Sequence, residues 1–142
     1  MPDTIHIELA DGAEEIGLAI MLRDLLSQNL EQNRHKISDF RKLNIPIGLQ
    51  VSDVDISLTL YFSEGSLTIF NGVTTNLGLD ITADSGTIMN LSNQRIRWGL
   101  PYYFDETGKE ILAAIKSGRL KVKGMVRFLP TLIRFSRVMS VH

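Results

Sequence analysis

Cysteine is absent from this chain of 142 residues. Its absence excludes disulfides, a thiol nucleophile and cysteine-ligated zinc or iron–sulfur sites. Also missing are the G-x-S-x-G, G-x-G-x-x-G, H-E-x-x-H and Walker-type motifs of common enzyme classes. None of the three histidines, His6, His35 and His142, lies near a candidate nucleophile in the sequence. We therefore expect no enzymatic activity and no cofactor.

Metal-ligating patterns are equally scarce. Asp53 and Asp55 are the nearest approach to one, but no further ligand lies close to them in the sequence. A hard cation prefers several oxygen ligands, so a solvated turn is the simpler interpretation of this pair. We expect no bound metal.

Long uncharged apolar runs are missing as well, and none approaches the ~20 residues that span a bilayer. The first residues have neither the basic nor the apolar region of a signal peptide. We therefore expect a soluble, cytoplasmic protein. The composition, 44% hydrophobic and 22% charged, is typical of a folded chain, and the length suits one domain over residues 1–142.

Acidic residues are absent from Lys116 to the end of the chain, although the net charge of the whole is only -1. Residues 1–46 contain five basic and eight acidic side chains, residues 47–94 none and five, and residues 95–142 ten and three. The asymmetry indicates either an anionic partner for the C-terminal part or acidic and basic segments that pack side by side and neutralise each other.

The hydrophobic period changes along the chain from about 3.6 to 2. An apolar stripe after the capping-box spacing Asp11-Gly12-Ala13-Glu14 predicts a helix over 13–32, and a second short helix ends before Pro46. Alternating residues then predict strands over 47–51, 54–62, 67–70 and 77–83. A turn or bulge is required at Ser52-Asp53, where the apolar phase slips, and Ser63-Glu64-Gly65 predicts a hairpin turn.

The last third returns to helices. One helix is predicted from Asp84-Ser85, another from the capping box Thr107-Gly108-Lys109-Glu110 to Gly118, and a third over 125–138 with Pro130 in its first turn or at a kink. Residues 119–123 alternate strictly and predict one more strand. Strands grouped together favour an α+β fold, with a mainly antiparallel sheet arranged as a meander and covered on one face by helices.

The last third also contains more apolar side chains than one buried stripe requires. This surplus comprises an aromatic loop and the final helix: Trp98, Tyr102, Tyr103, Phe104, Met125, Val126, Phe128, Leu129, Leu132, Ile133 and Phe135. Such a surface either contacts another chain or lines a cavity.

The order of these elements resembles the sterol carrier protein family, the type-two sterol transfer domain, over roughly residues 47–138. The resemblance rests on Asp84 after the strand Leu79–Ala83, on two helices, and on Ser117-Gly118-Arg119-Leu120-Lys121-Val122-Lys123-Gly124 before a closing apolar helix. It implies a five-stranded sheet and helices that enclose an apolar tunnel for fatty acyl chains, sterols or related lipids, without chemistry. Residues 1–46 are then a helical N-terminal segment.

Two functions remain open from these observations. The first is binding or transfer of a lipid, and the residues predicted to contact it are Leu60, Phe62, Ile69, Ile81, Met89, Trp98, Phe128 and Leu132. The alternative is a protein interaction or dimerisation module that uses the apolar C-terminal surface. We expect a monomer, no nucleic-acid partner, and transient contact with anionic membranes through the basic side chains Arg119, Lys121, Lys123 and Arg127.

Overall fold

The computed structural model describes residues 5–72, 77–93, 96–97 and 100–140. The strands in these ranges are β1 (His6–Leu9), β2 (Pro46–Val51), β3 (Ile56–Ser63), β4 (Ser66–Asn71), β5 (Leu79–Ala83), β6 (Ile96–Arg97), β7 (Leu100–Pro101) and β8 (Lys121–Lys123). The helices are α1 (Gly17–Gln32), α2 (Ile37–Arg41), α3 (Ser85–Asn93), α4 (Glu106–Ser117) and α5 (Leu129–Met139), with single 3-10 turns at Ala13–Glu15 and Arg34–Lys36.

The main sheet of the described residues has six strands in the order β1-β4-β3-β2-β5-β8. Its register aligns apolar side chains in rows on one face, as in the row Leu67, Phe62 and the row Ile69, Leu60, Ile47, Leu79. These residues are at most 1% exposed because the helices pack on this face. Tyr61 and Phe70, on the opposite face, are 49% and 40% exposed. The α+β class and the one-sided covering follow from this alternation.

The sheet corrects the predicted topology in two respects: it has six strands rather than five, and it is mixed rather than a meander. β2 with β3, β3 with β4 and β5 with β8 pair antiparallel, whereas β1 with β4 and β2 with β5 pair parallel. The unexpected strand, β1, occupies the free edge of β4. β5 therefore pairs with the free edge of β2, and the N-terminal segment is not wholly helical.

The local turns follow the sequence. Residues 52–55 form the turn at which the apolar phase slips, with Asp55 at φ 52°. Glu64 and Gly65 both have positive φ, as a two-residue hairpin turn requires. Gly118 ends α4 in the left-handed conformation, and Pro130 lies in the first turn of α5.

Three predicted helix starts are wrong. The last helix, predicted from residue 125, begins only at Leu129, because residues 124–128 form turns. The Asp105 carboxylate caps α4 by accepting a hydrogen bond from the Gly108 N–H (2.7 Å), two residues before the expected cap at Thr107. Near the N-terminus, the Glu14 carboxylate accepts from the Gly12 N–H, but α1 begins only at Gly17, after the 3-10 turn. A spacing that fits a capping box does not choose between neighbouring residues that can also cap.

The helices pack on the sheet in one hydrophobic core, which includes residues from 1–46 and from 47–138. Phe62 of β3 lies between Phe40 of α2 and Phe135 of α5, with both pairs of ring centroids 6.0 Å apart and edge to face. α5 contacts α1, α2 and α3. The C-terminal helix is thus part of the core, and residues along its whole length line the site described next.

Candidate functional site

A pocket of about 340 Å³ lies between the sheet edge at β5 and β8 and the helices α4 and α5. Its volume falls in the lower part of the range of roughly 300–1,000 Å³ that small-molecule sites occupy. The lining residues come from the sheet edge, the helices and the segments beside them: Ile81, Leu91, Tyr103, Ile111, Ile115, Leu120, Val122, Met125, Leu129, Leu132, Ile133, Phe135, Ser136 and Met139.

Almost every lining side chain is apolar, and none of them carries a charge. Tyr103 and Ser136 are the two with a polar group. The Ser136 hydroxyl donates to the Leu132 carbonyl of the preceding turn (2.9 Å), so this donor is already used within α5. Tyr103 is half-buried. The pocket can therefore hold an apolar molecule and has a single phenol to contact a polar group on it.

The pocket opens to solvent on one side. Ile111, Phe135 and Met139 form its buried inner wall at 1%, 4% and 3% exposure. Ile115, Met125 and Leu129, by contrast, are each nearly half exposed, and they surround the opening between the end of α4 and the start of α5. We call the surface formed by Ile115, Met125, Val126 and Leu129 the mouth surface.

Two glycines allow the chain to close around the pocket. Gly124 has φ +86°, and a Cβ there would collide with the Gly78 carbonyl oxygen, so the turn after β8 can approach this backbone only as glycine. Gly108 packs against the backbone of Tyr102 and Tyr103 so tightly that a Cβ would meet the Tyr102 carbonyl and the Tyr103 Cα. These contacts position Met125 and Tyr103 on the pocket wall.

A polar cluster holds the far end of α5. The Asn29 side-chain amide donates to the carbonyls of Val138 (3.1 Å) and Met139 (3.0 Å), and the Lys36 ammonium donates to the Ser140 carbonyl (2.6 Å). Arg137 forms an ion pair with Asp39 at 2.8 Å. Side-chain donors at a helix C-terminus satisfy carbonyls that have no partner within the helix. They fix α5 against α1 and α2.

Lys36 is 3% exposed, an unusual position for an ammonium group. Burial lowers the pKa of Lys36, and the nearby Asp39 carboxylate opposes this shift.

No protein-family model and no curated protein matches the chain. Solved structures do match it. One is a UbiJ-SCP2 ubiquinone synthesis protein, with TM-score 0.61 and 17% identity, covering 89% of this chain and 95% of that one. Another is sterol carrier protein 2, with TM-score 0.51 and 14% identity, covering 82% and 88%. The chain has a sterol-carrier-like fold. The resemblance drawn from residues 47–138 is confirmed at the level of the fold.

Within this sterol-carrier-like domain, two of the eight residues predicted to contact lipid line the pocket, namely Ile81 and Leu132. Leu60, Phe62 and Ile69 lie in the core further along the sheet and are at most 1% exposed. Met89 is 47% exposed, and Phe128 packs against the core beneath the Arg127 guanidinium, which lies 5.3 Å from its ring centre. Trp98 lies outside the described residues, and its contact with a ligand stays a prediction.

The prediction missed the other twelve lining residues, among them Ile111 and Ile115 on α4, Val122 on β8 and Leu120 between these two elements. The alternation at 119–123 predicts that Leu120 and Val122 share one face of a strand. The missing information was that the sheet centre is sealed by the N-terminal helices, whereas its β8 edge is covered incompletely by α4 and α5.

Asp53 has a structural role in the sterol-carrier-like domain. Its carboxylate accepts hydrogen bonds from the Ser85 N–H (2.8 Å) and the Ser85 hydroxyl (2.6 Å), and these bonds lower the pKa of Asp53. Within the described ranges, no group of three or more histidine or carboxylate residues is placed to hold a metal ion. His6 belongs to strand β1 and His35 to a 3-10 turn, and both are exposed, while His142 lies outside the described residues.

None of the helices in the described part of the chain is both long and apolar enough to cross a bilayer.

Proposed function

We propose that the chain binds an apolar lipid in the pocket beneath α5 and carries it without chemical change. The observation that supports this most directly is the lining, in which twelve of fourteen residues are apolar and none is charged. An uncharged wall makes the transfer of an aliphatic chain or fused rings from water favourable, at roughly 25 cal/mol per Å² of apolar surface buried. The shared fold with sterol carrier protein 2 supports the same class of ligand.

Fatty acyl chains, sterols and related lipids all belong to that class. A wall of Leu, Ile, Met and Phe discriminates by volume and length, so the Tyr103 hydroxyl is the candidate contact for a head group or ring oxygen. A quinone-type lipid is a further candidate because one structural neighbour is a ubiquinone synthesis protein. In this proposal the chain is a cytoplasmic monomer, and no catalytic group is needed because the pocket has no carboxylate, histidine or lysine to move a proton.

A protein interaction module is the second candidate, and one observation favours it. Val126 is 91% exposed beside the half-exposed Met125 and Leu129, which is a concentration of apolar surface that a partner or second copy would cover. In this case the pocket would stay empty, and the mouth surface would be buried in a dimer or complex.

Titration with a fluorescent fatty acid tests the first proposal. Wild type is expected to bind saturably and to release the probe to unlabelled fatty acid. Ile133→Trp fills part of the pocket of about 340 Å³ and leaves less room for the ligand, so binding is expected to weaken about tenfold or more, or about 1.4 kcal/mol or more.

The matched control is Leu25→Trp, a half-buried residue on α1 outside the pocket lining. Both variants are first shown to melt cooperatively. Equal weakening in the two variants, or no saturable binding to folded wild type, would argue against a lipid site in this pocket.

A further inference from the structure

Exposed cations lie on the elements that flank the mouth surface. Those on β8 project from the sheet face opposite to the pocket-lining Val122, because side chains alternate along a strand. Lys116 and Arg119 lie at the end of α4 and just after it, Lys121 and Lys123 are on the edge strand β8, and Arg127 follows Val126 in the next turn. Across the described residues, none of the five has a carboxylate within 4 Å.

Two acids lie near this group but leave most of its charge in place. Asp80 is opposite Lys123 in the β5–β8 register, and Arg119 contributes, after the hydrogen bond from Thr87, to the lowered pKa of Asp84. Acidic and basic side chains therefore neutralise each other on part of this surface, as one interpretation of the charge pattern predicts. Lys116, Lys121 and Arg127 have no such neighbour among the described contacts.

The mouth surface coincides with the opening of the pocket and is flanked by Lys116, Arg119 and Arg127. Ile115, Met125 and Leu129 each contact both the pocket and solvent, and Val126 projects beyond them with 91% exposure. An apolar patch flanked by Lys and Arg has the composition of interfacial membrane-binding elements, which bury apolar groups at the headgroup–acyl boundary and hold anionic headgroups with cations.

We propose that the mouth surface docks on an anionic phospholipid bilayer, so that the pocket opens directly into the membrane. Charge complementarity selects this occupant, because a neutral bilayer or a neutral protein would not use the cations. Val126 and Met125 enter the interface, while Lys116 and Arg127 contact headgroup phosphates. Lipid then passes between bilayer and pocket without crossing water. This docking rests on the proposed lipid site but is measured separately from it.

Co-sedimentation of the full chain with vesicles tests the docking. Wild type is expected to bind vesicles that contain phosphatidylglycerol more tightly than pure phosphatidylcholine vesicles, and binding should weaken with salt as the Debye length falls below about 10 Å. Val126→Glu is expected to weaken association about tenfold. Its matched control is Val54→Glu, an exposed valine in the β2–β3 turn, which should bind like wild type.

The cations are tested in the same assay. Lys116→Gln combined with Arg127→Gln is expected to weaken binding about fivefold per removed charge. Arg34→Gln combined with Lys42→Gln removes the same charge from exposed positions in other elements and is expected to have a much smaller effect. Equal losses in the two double variants would mean that net charge, rather than this surface, drives association, and would overturn the proposal.

Fatty acid titration in vesicle-free solution separates docking from ligand binding. None of the substituted residues lines the pocket, so Val126→Glu is expected to bind the fluorescent fatty acid like wild type. Wild type that binds this probe but ignores anionic vesicles would overturn the docking and leave the lipid site standing. Wild type that binds vesicles but no probe would overturn the lipid site and leave the docking standing. Self-association that buries Val126 and prevents vesicle binding would favour a second copy and overturn the docking.

Discussion

Single residues decide how closely the segments around the pocket can approach each other. Gly108→Ala would drive a methyl group into the backbone of Tyr102 and Tyr103, so one of these segments must move. We expect a loss of roughly 1–3 kcal/mol in the free energy of unfolding, measured by urea denaturation, together with weaker fatty acid binding because Tyr103 lines the pocket.

Gly17→Ala is the control for this change. Gly17 begins α1, has no atom within 4 Å of a Cβ and has no positive φ. Alanine there is expected to leave stability unchanged or raise it by up to about 1 kcal/mol. Equal destabilisation by the two substitutions would contradict the close packing assigned to Gly108.

Lys36 gives the second residue-scale prediction, which concerns pH. Because burial lowers its pKa below the ordinary 10.5, the folded chain loses this proton at a lower pH than the unfolded chain. The charged ammonium therefore destabilises the fold at neutral pH, and the cost falls as the pH rises through the lowered value toward 10.5. The free energy of unfolding of wild type relative to Lys36→Met is expected to rise from neutral pH to about pH 10.

The comparison with Lys36→Met cancels the other titrating groups, which both proteins share. Urea denaturation at several pH values provides the measurement. A difference that stays flat or falls with pH would mean that Lys36 is solvated in the fold. The sequence indicated none of this, because Lys36 reads as an ordinary polar residue at a helix junction; its burial arises from α5, more than one hundred residues later in the chain.

At the scale of elements, α5 combines core packing with a pocket wall. Phe135→Ala removes a ring that is 4% exposed and packs edge to face on Phe62, so we expect a loss of about 3–5 kcal/mol in the free energy of unfolding. Phe104→Ala, at a ring that is 78% exposed, is expected to change it by less than about 0.5 kcal/mol. Thermal and urea unfolding of the two variants would reveal the contrast, and similar losses would contradict the burial of α5.

Most elements could be predicted from the sequence because their periodicity reflects which face is buried. The alternation in β2, β3 and β5 and the stripe of α1 depend on nearby residues, and the structure confirms them. Strand pairing is not local. β1, with four residues, has too short an alternation to distinguish it from a tail, and its place beside β4 determined where β5 could pair. The site was predicted only in part for the same reason. The periodicity identifies residues that face inward, but it does not show which of them are buried by other elements.

At the scale of the whole molecule, the six-stranded sheet is closed by helices over most of one face and incompletely at its β8 edge. Exposed basic residues, Lys116, Arg119 and Arg127 among them, and the exposed apolar side chains of the mouth surface lie at the same edge. The pocket, its opening and exposed basic side chains thus lie at one place. This is the arrangement expected of a domain that exchanges an apolar ligand with a surface.

Native mass spectrometry of freshly purified protein tests the central claim, that the pocket holds a lipid, most directly. Wild type and Leu25→Trp are expected to appear as monomers that carry one co-purified lipid, identified by its mass after release, and Ile133→Trp as a monomer with little or none. A dimer without bound lipid, or a lipid retained equally by Ile133→Trp, would contradict the claim that this pocket is the binding site.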